Sequence, residues 1–174
     1  MAGAELFATR GFHGVSIEDL GRAVGTTGPA LYRHFPGKDA LLAAILIDVS
    51  ERLLAGADER LRGSPDPDDA LDALLAGHVE FALTEPALIT VHDRELDNVP
   101  PEQRRIVRRL QRQYVECWVR VLGQLRPDIP EGRLRAKAHA TFGLLNSTPH
   151  SAGDLALAEM STLLRSMGRA ALLA

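Results

Sequence analysis

Residues 16–38 read Ser16-Ile-Glu-Asp-Leu-Gly21-Arg-Ala-Val-Gly25-Thr-Thr-Gly28-Pro-Ala-Leu-Tyr-Arg33-His-Phe35-Pro-Gly-Lys38. The pattern predicts a helix, a tight turn and a second helix, the arrangement that lays a short helix in the major groove of DNA. Gly21, four residues before Gly25, leaves room for the second helix to cross the first without meeting a side chain. Thr27 is placed to cap the second helix, and Pro29 suits a first turn, where a missing N–H costs nothing.

Projected at the α-helical step, Leu31, Phe35 and Gly28 fall on one side of that second helix. Pro29, Ala30, Arg33 and His34 fall on the other, with Tyr32 on the flank. One side is predicted to be core and the other free to touch a partner. Phe35-Pro36-Gly37 breaks the helix and Lys38 opens the next. A cation at a helix start opposes the macrodipole, so Lys38 is expected to face something negative, such as a phosphate.

The block Gly11-Phe12, Val15-Ser16-Ile17, Val24-Gly25, Ala30-Leu31-Tyr32-Arg33-His34-Phe35 and Lys38-Asp39-Ala40-Leu41-Leu42 resembles the DNA-binding domain of the TetR family of transcriptional regulators. The resemblance implies an all-α protein, with an N-terminal three-helix DNA-binding domain over residues 1–45 and a helical effector-binding and dimerisation domain over residues 46–174. It also implies a homodimer, formed through the two C-terminal helices, on a near-palindromic double-stranded operator and released by a small-molecule effector. Members usually carry further, often basic, residues ahead of the first helix. Only ten residues precede Gly11 here, so the start is expected to be truncated or to lack that arm.

Composition agrees with the helical class. The 174 residues are 45% hydrophobic and 25% charged, with β-branched and aromatic types sparse beside alanine and leucine. Net charge is −3, which argues against bulk polyanion binding but not against a local surface. Over residues 1–38 four cations face three acids, a net of +1 before His13 or His34 is protonated, a weak electrostatic footprint. The single cysteine, Cys117, excludes an internal disulfide and points to the cytoplasm. Its place on an apolar stripe reads as a small buried hydrophobe. The longest apolar run, Ala40–Ile47, is eight residues, too short to cross a membrane.

Along the chain, Leu41, Leu42, Ile45, Leu46, Val49 and Leu53 predict a long amphipathic helix from Lys38 to about Arg62. Gly63-Ser-Pro-Asp-Pro67 breaks it, and Asp68 or Asp69 is expected to start the next helix, which ends near Glu85-Pro86. A shorter helix follows to Leu96. Pro101–Leu125 carries an apolar stripe, Ile106 through Leu125, opposite Arg104, Arg105, Arg108, Arg109 and Arg112. Leu134, Ala138, Phe142 and Leu145 line one terminal helix; Ala156, Met160, Leu163, Leu164 and Met167 line the other, with Gly143 and Gly168 allowing close packing.

DNA contact is expected from Thr27, Gly28, Pro29, Ala30, Tyr32, Arg33, His34 and Lys38. Arg33 is the best direct reader, since a guanidinium bonds guanine O6 and N7 together. Tyr32 and His34 suit phosphates. For the effector, hydrophobic or acidic, the expected lining is His78, Phe81, His92, Tyr114, Trp118, Phe142 and Asn146, from positions that line the cavity in relatives. A plain hydrogen-bonded core histidine is the competing reading of His78. The arginine run reads as a solvated face, or as a cradle for an effector's carboxylate or phosphate.

No metal-ligand spacing, phosphate loop or cofactor motif appears, and His92-Asp93-Arg94-Glu95 lacks a nucleophile with a base, so no catalytic residue is assigned and an enzyme is not expected. The alternative to a regulator is a ligand-binding or interaction protein of the same fold that no longer binds DNA.

Overall fold

The computed structural model describes residues 2–151, 153 and 155–174, and these contain helices with no strand. They form two compact units. One holds the residues up to Ser50 together with Ala87–Arg109; the other holds Glu51–Pro86 and Leu110–Ala174.

The first unit begins with α1 (Ala2–Arg10), α2 (Ile17–Ala23) and α3 (Gly28–Tyr32), followed by the opening half of α4 (Lys38–Gly63). Phe7, Leu20, Leu42 and Leu46 are almost wholly buried, and each contributes about 1.5–3 kcal/mol by leaving water. Gly3 packs against Ile45 and Leu20, tying α1 to both α4 and α2. At the start of α2, Ser16 accepts from the Asp19 amide at 3.1 Å, and the Asp19 carboxylate accepts from the Ser16 amide at 3.2 Å. This reciprocal cap satisfies two of the helix's orphan donors, and the Ser16 donors hold the Asp19 carboxyl below its usual range. The unit is completed by α6 (Pro86–Glu95), a 3-10 turn (Leu96–Asn98) and the start of α7 (Pro101–Leu125).

The second unit is built on α5 (Pro67–Thr84), the rest of α7, α8 (Glu131–Leu145), a short α9 (Thr148–Ser151) and α10 (Leu157–Leu173). Its core gathers Leu71, Leu74, Leu75, Val79, Trp118, Leu122, Leu145 and Leu172. Gly168 is where α10 meets its neighbours: a Cβ there would stand 2.9 Å from Leu75 and 3.2 Å from Leu145. Gly143, expected to serve the same end, faces open space.

Other boundaries shift for identifiable reasons. The cap of α5 is Asp66, not Asp68 or Asp69. Its side chain accepts from the amides of both, and Pro67 supplies the first turn. Thr148 in α9 donates to the Ala82 carbonyl at 2.6 Å, a contact between distant residues that no local pattern announces. On α10, Met160, Leu164, Gly168 and Leu172 are buried, whereas Leu163 and Met167, expected inside, are 44% and 46% exposed.

Candidate nucleic-acid interface and effector site

The reading head depends on one crossing. A Cβ on Gly21 would stand 2.9 Å from the Gly28 amide nitrogen and 2.9 Å from the Thr27 carbonyl carbon, so α2 and α3 touch backbone to side-chain position. Gly25, with φ of 73°, makes the turn between them in the left-handed region that suits glycine. Thr27 caps α3 by accepting from the Ala30 amide at 3.3 Å, and Leu31 is buried beneath.

Of the residues expected to meet DNA, Thr27, Pro29, Tyr32, Arg33 and His34 are exposed, with Tyr32 51% accessible. Ala30 is half-buried and Gly28 is buried against Glu18. The regular helix stops at Tyr32, so Arg33 and His34 stand on the turn that follows it; the Arg33 and His34 amides bond back to Leu31 and Phe35 closes over the same carbonyl. Lys38 differs from expectation. Its Nζ donates to the Phe12 carbonyl at 2.8 Å and the Val15 carbonyl at 3.0 Å, and it lies 4.5 Å from the centre of the Phe12 ring. The negative partners of this helix-start cation are therefore backbone oxygens of the preceding loop.

Six of the seven residues expected around an effector meet in the second unit. His78 is buried, with Nδ1 3.1 Å from the Tyr114 hydroxyl and Nε2 3.0 Å from Asn146 Oδ1. The Phe142 ring centre is 4.9 Å from that of His78, and those of Trp118, Tyr114 and Phe81 lie at about 6 Å. Burial lowers the His78 pKa to about 4, so the ring is neutral at physiological pH, and burial pushes the Tyr114 phenol up. The buried Trp118 indole N–H makes at most a loose bond to the Tyr114 hydroxyl, and Thr141 Oγ1, also buried, has no hydrogen-bond partner.

His92 is the exception. It belongs to the first unit, where its Nδ1 is 3.2 Å from Asp93 Oδ1. Glu95 is buried and accepts from Asn98 Nδ2 at 2.8 Å. Among the described residues no group of three or more His, Cys, Asp or Glu side chains is placed to hold a metal ion. Along α7, Arg104 pairs with Asp97 at 2.8 Å, while Arg105, Arg108, Arg109 and Arg112 are exposed. Cys117 is buried 3.8 Å from Asp58, and burial raises its thiol pKa, which suits packing more than reactivity. Among the described residues no single helix is long and apolar enough to cross a membrane.

A surface groove of about 440 Å³ opens between α7 and the start of α8, lined by Glu116, Val119, Arg120, Gly123, Pro127 and Ile129, among others. No sequence pattern pointed to it, because Val119 and Ile129 come together only when the 126–130 loop folds back.

A helix-turn-helix head ahead of a helical body defines a class of bacterial regulators. The sequence profile of bacterial regulatory proteins of the tetR family matches residues 1–45, and that of the tetracyclin repressor-like C-terminal domain matches residues 64–161. The chain belongs to the tetR family, which comprises transcription regulators and not enzymes. It is 26% identical over 134 residues to the HTH-type transcriptional repressor KstR2 of Rhodococcus jostii, covering 76% of this chain and 64% of that protein. It is 30% identical over 81 residues to the HTH-type transcriptional activator FasR of Mycolicibacterium smegmatis, covering 47% and 37%. The chain thus spans less than two-thirds of these relatives. A TetR-family transcriptional regulator from Bordetella parapertussis superposes with a TM-score of 0.84 at 25% identity, covering 96% of this chain and 90% of that one.

Proposed function

We propose that this chain is a cytoplasmic, ligand-responsive transcriptional repressor. In this reading residues 1–45 are the DNA-binding domain and residues 46–174 bind the effector and dimerise. The observation that carries it is the head: α3, locked to α2 through Gly21, presents Tyr32 and, on the turn beyond, Arg33 and His34 as an exposed polar edge. Arg33 reads a base edge; Tyr32, His34 and the exposed Thr27 bond phosphates and set register. Lys38 acts by holding the loop before α2, and so sets the head's shape rather than touching a phosphate.

Two such heads bind the half-sites of a near-palindromic operator, centred about 34 Å apart when one helical turn separates them. Apolar side chains exposed on α10, Leu163 and Met167, support dimerisation through α8 and α10. KstR2 is a repressor and FasR an activator; the longer match to KstR2 favours repression. A small molecule that enters the His78 cluster binds the DNA-released state better and so shifts the population off the operator.

The test is an electrophoretic shift with DNA from upstream of the chain's own gene against a scrambled duplex. Retardation of the upstream fragment alone is expected. Equal, weak retardation of both would leave a ligand-binding protein that has lost its operator.

A further inference from the structure

The first turn of α3 has little to read with. In a helix-turn-helix the N-terminal residues of the second helix meet the base edges, and here those residues are Gly28, Pro29 and Ala30, none of which carries a side-chain donor or acceptor. The Thr27 oxygen is already taken up in capping, by the Ala30 amide. A further polar group for this end of the reading edge has to come from another element.

Glu18 of α2 supplies one. Its side chain lies over Gly28: a Cβ on that glycine would stand 3.4 Å from Glu18 Cγ and 3.5 Å from Oε1, so the carboxylate borders the space that a side chain at residue 28 would use. Glu18 is exposed, and among the described residues its carboxylate has no ion pair or hydrogen bond. The cations near it are engaged by its neighbour, for Arg22 and Arg10 reach Asp19 at 3.4 Å and 4.0 Å. Asp19 also completes the cap of α2, so the fold of the helix start does not call on Glu18.

What such a group can recognise follows from its charge. An ionised carboxylate only accepts, so it needs a donor on the groove edge. In the major groove guanine offers N7 and O6 and thymine offers O4, all acceptors; adenine sets its N6 donor beside the N7 acceptor, and cytosine offers the N4 amino group alone. Cytosine is therefore the base that answers Glu18 without repulsion. Against the acceptor edges, and against phosphates, the carboxylate is repelled, so it also lowers affinity for DNA that lacks the right pair.

We infer that Glu18 is a specificity-determining residue of the head, accepting from the N4 amino group of a cytosine in each operator half-site. The inference rests on the reading of the head as a DNA binder, and it sets an acidic reader from α2 beside Arg33, the guanine reader beyond α3.

The test uses the full chain and a half-site mapped by footprinting on the DNA upstream of its own gene, with each base pair replaced in turn. The parent is expected to prefer C·G at one position and to lose about tenfold in affinity when that pair is changed. Glu18→Gln keeps the size and removes the charge, while Glu18→Ala removes the acceptor. In both, that preference should vanish, preferences at the other positions should hold, the Arg33 position included, and binding to scrambled duplex should strengthen at the same salt. Circular dichroism and thermal unfolding should match the parent's, as expected for an exposed side chain. Base preferences unchanged at every position, or a uniform loss on every duplex, would make Glu18 a first-turn acid of α2 and overturn the inference while leaving operator binding in place. A parent that binds operator and scrambled duplex alike would remove the DNA-reading role itself, and the inference with it.

Discussion

Lys38 Nζ donates to the carbonyl of Phe12 at 2.8 Å and lies 4.5 Å from the centre of the same residue's ring. The cation is thus held by two features of one residue, and the Val15 carbonyl adds a third. Hydrogen bonds to a charged group contribute about 1.5–3 kcal/mol each when desolvated, and less where water competes, as at this half-buried site. Lys38→Met keeps the aliphatic stem and removes the clamp. It is expected to lower stability by about 2 kcal/mol, read by urea unfolding, and to weaken operator binding without changing its salt dependence. A log–log salt slope reduced by about one, with unchanged stability, would instead make Lys38 a phosphate contact.

Gly21→Ala tests the crossing. Alanine is the better helix former by about 1 kcal/mol, but its methyl would meet backbone atoms of Thr27 and Gly28 that cannot swing aside. Overpacking of this kind costs about 1–3 kcal/mol, so the net effect is a loss. Thermal unfolding should show a lower midpoint, and operator affinity should fall with it.

Arg33→Ala should cost about 1–3 kcal/mol on the operator and much less on scrambled DNA, because a bidentate bond to a base is lost while phosphate contacts remain. Competition titrations against operators changed one base pair at a time would show tolerance at a single position. Uniform loss on every sequence would assign Arg33 to the backbone.

His78 makes stability depend on pH. Its folded pKa of about 4 lies below the unfolded value near 6.5, so the unfolded chain binds more protons between those values. Stability attributable to this residue is full above pH 6.5 and declines as pH falls toward 4, by about 3 kcal/mol in all. Urea unfolding between pH 7 and pH 4 should show that extra loss in the parent chain and not in His78→Gln.

Leu163→Glu combined with Met167→Glu places charge on exposed positions of α10, where the protomer has nothing to lose. Helix content should hold while light scattering falls from the mass of a dimer to that of one chain. A dimer that survives would move the interface elsewhere.

Much of the site was legible in the linear chain because local rules wrote it. Thr27 and Pro29 marked the start of α3, and Gly21 marked the crossing; each acts within a few residues of itself. The reciprocal Ser16–Asp19 cap is equally local, although only the structure brought it out. The periodicity of α7 gave its bounds, and six of the seven residues expected around an effector come together because three amphipathic helices turn their apolar stripes to one core. His92 departed from that group because a short helix offers too few turns to fix which unit it joins.

What the sequence alone determined is the class: an all-α chain with a helix-turn-helix head, since capping, turn glycines and helical periodicity are properties of neighbouring residues. The tertiary structure decided who answers each polar group. It gave Lys38 two carbonyls where a phosphate was expected, gave both His78 nitrogens partners from distant parts of the chain, and turned Leu163 and Met167 outward. Those outcomes depend on contacts between residues far apart in the chain, which carry no local periodicity, and on the requirement that every donor taken out of water find an acceptor.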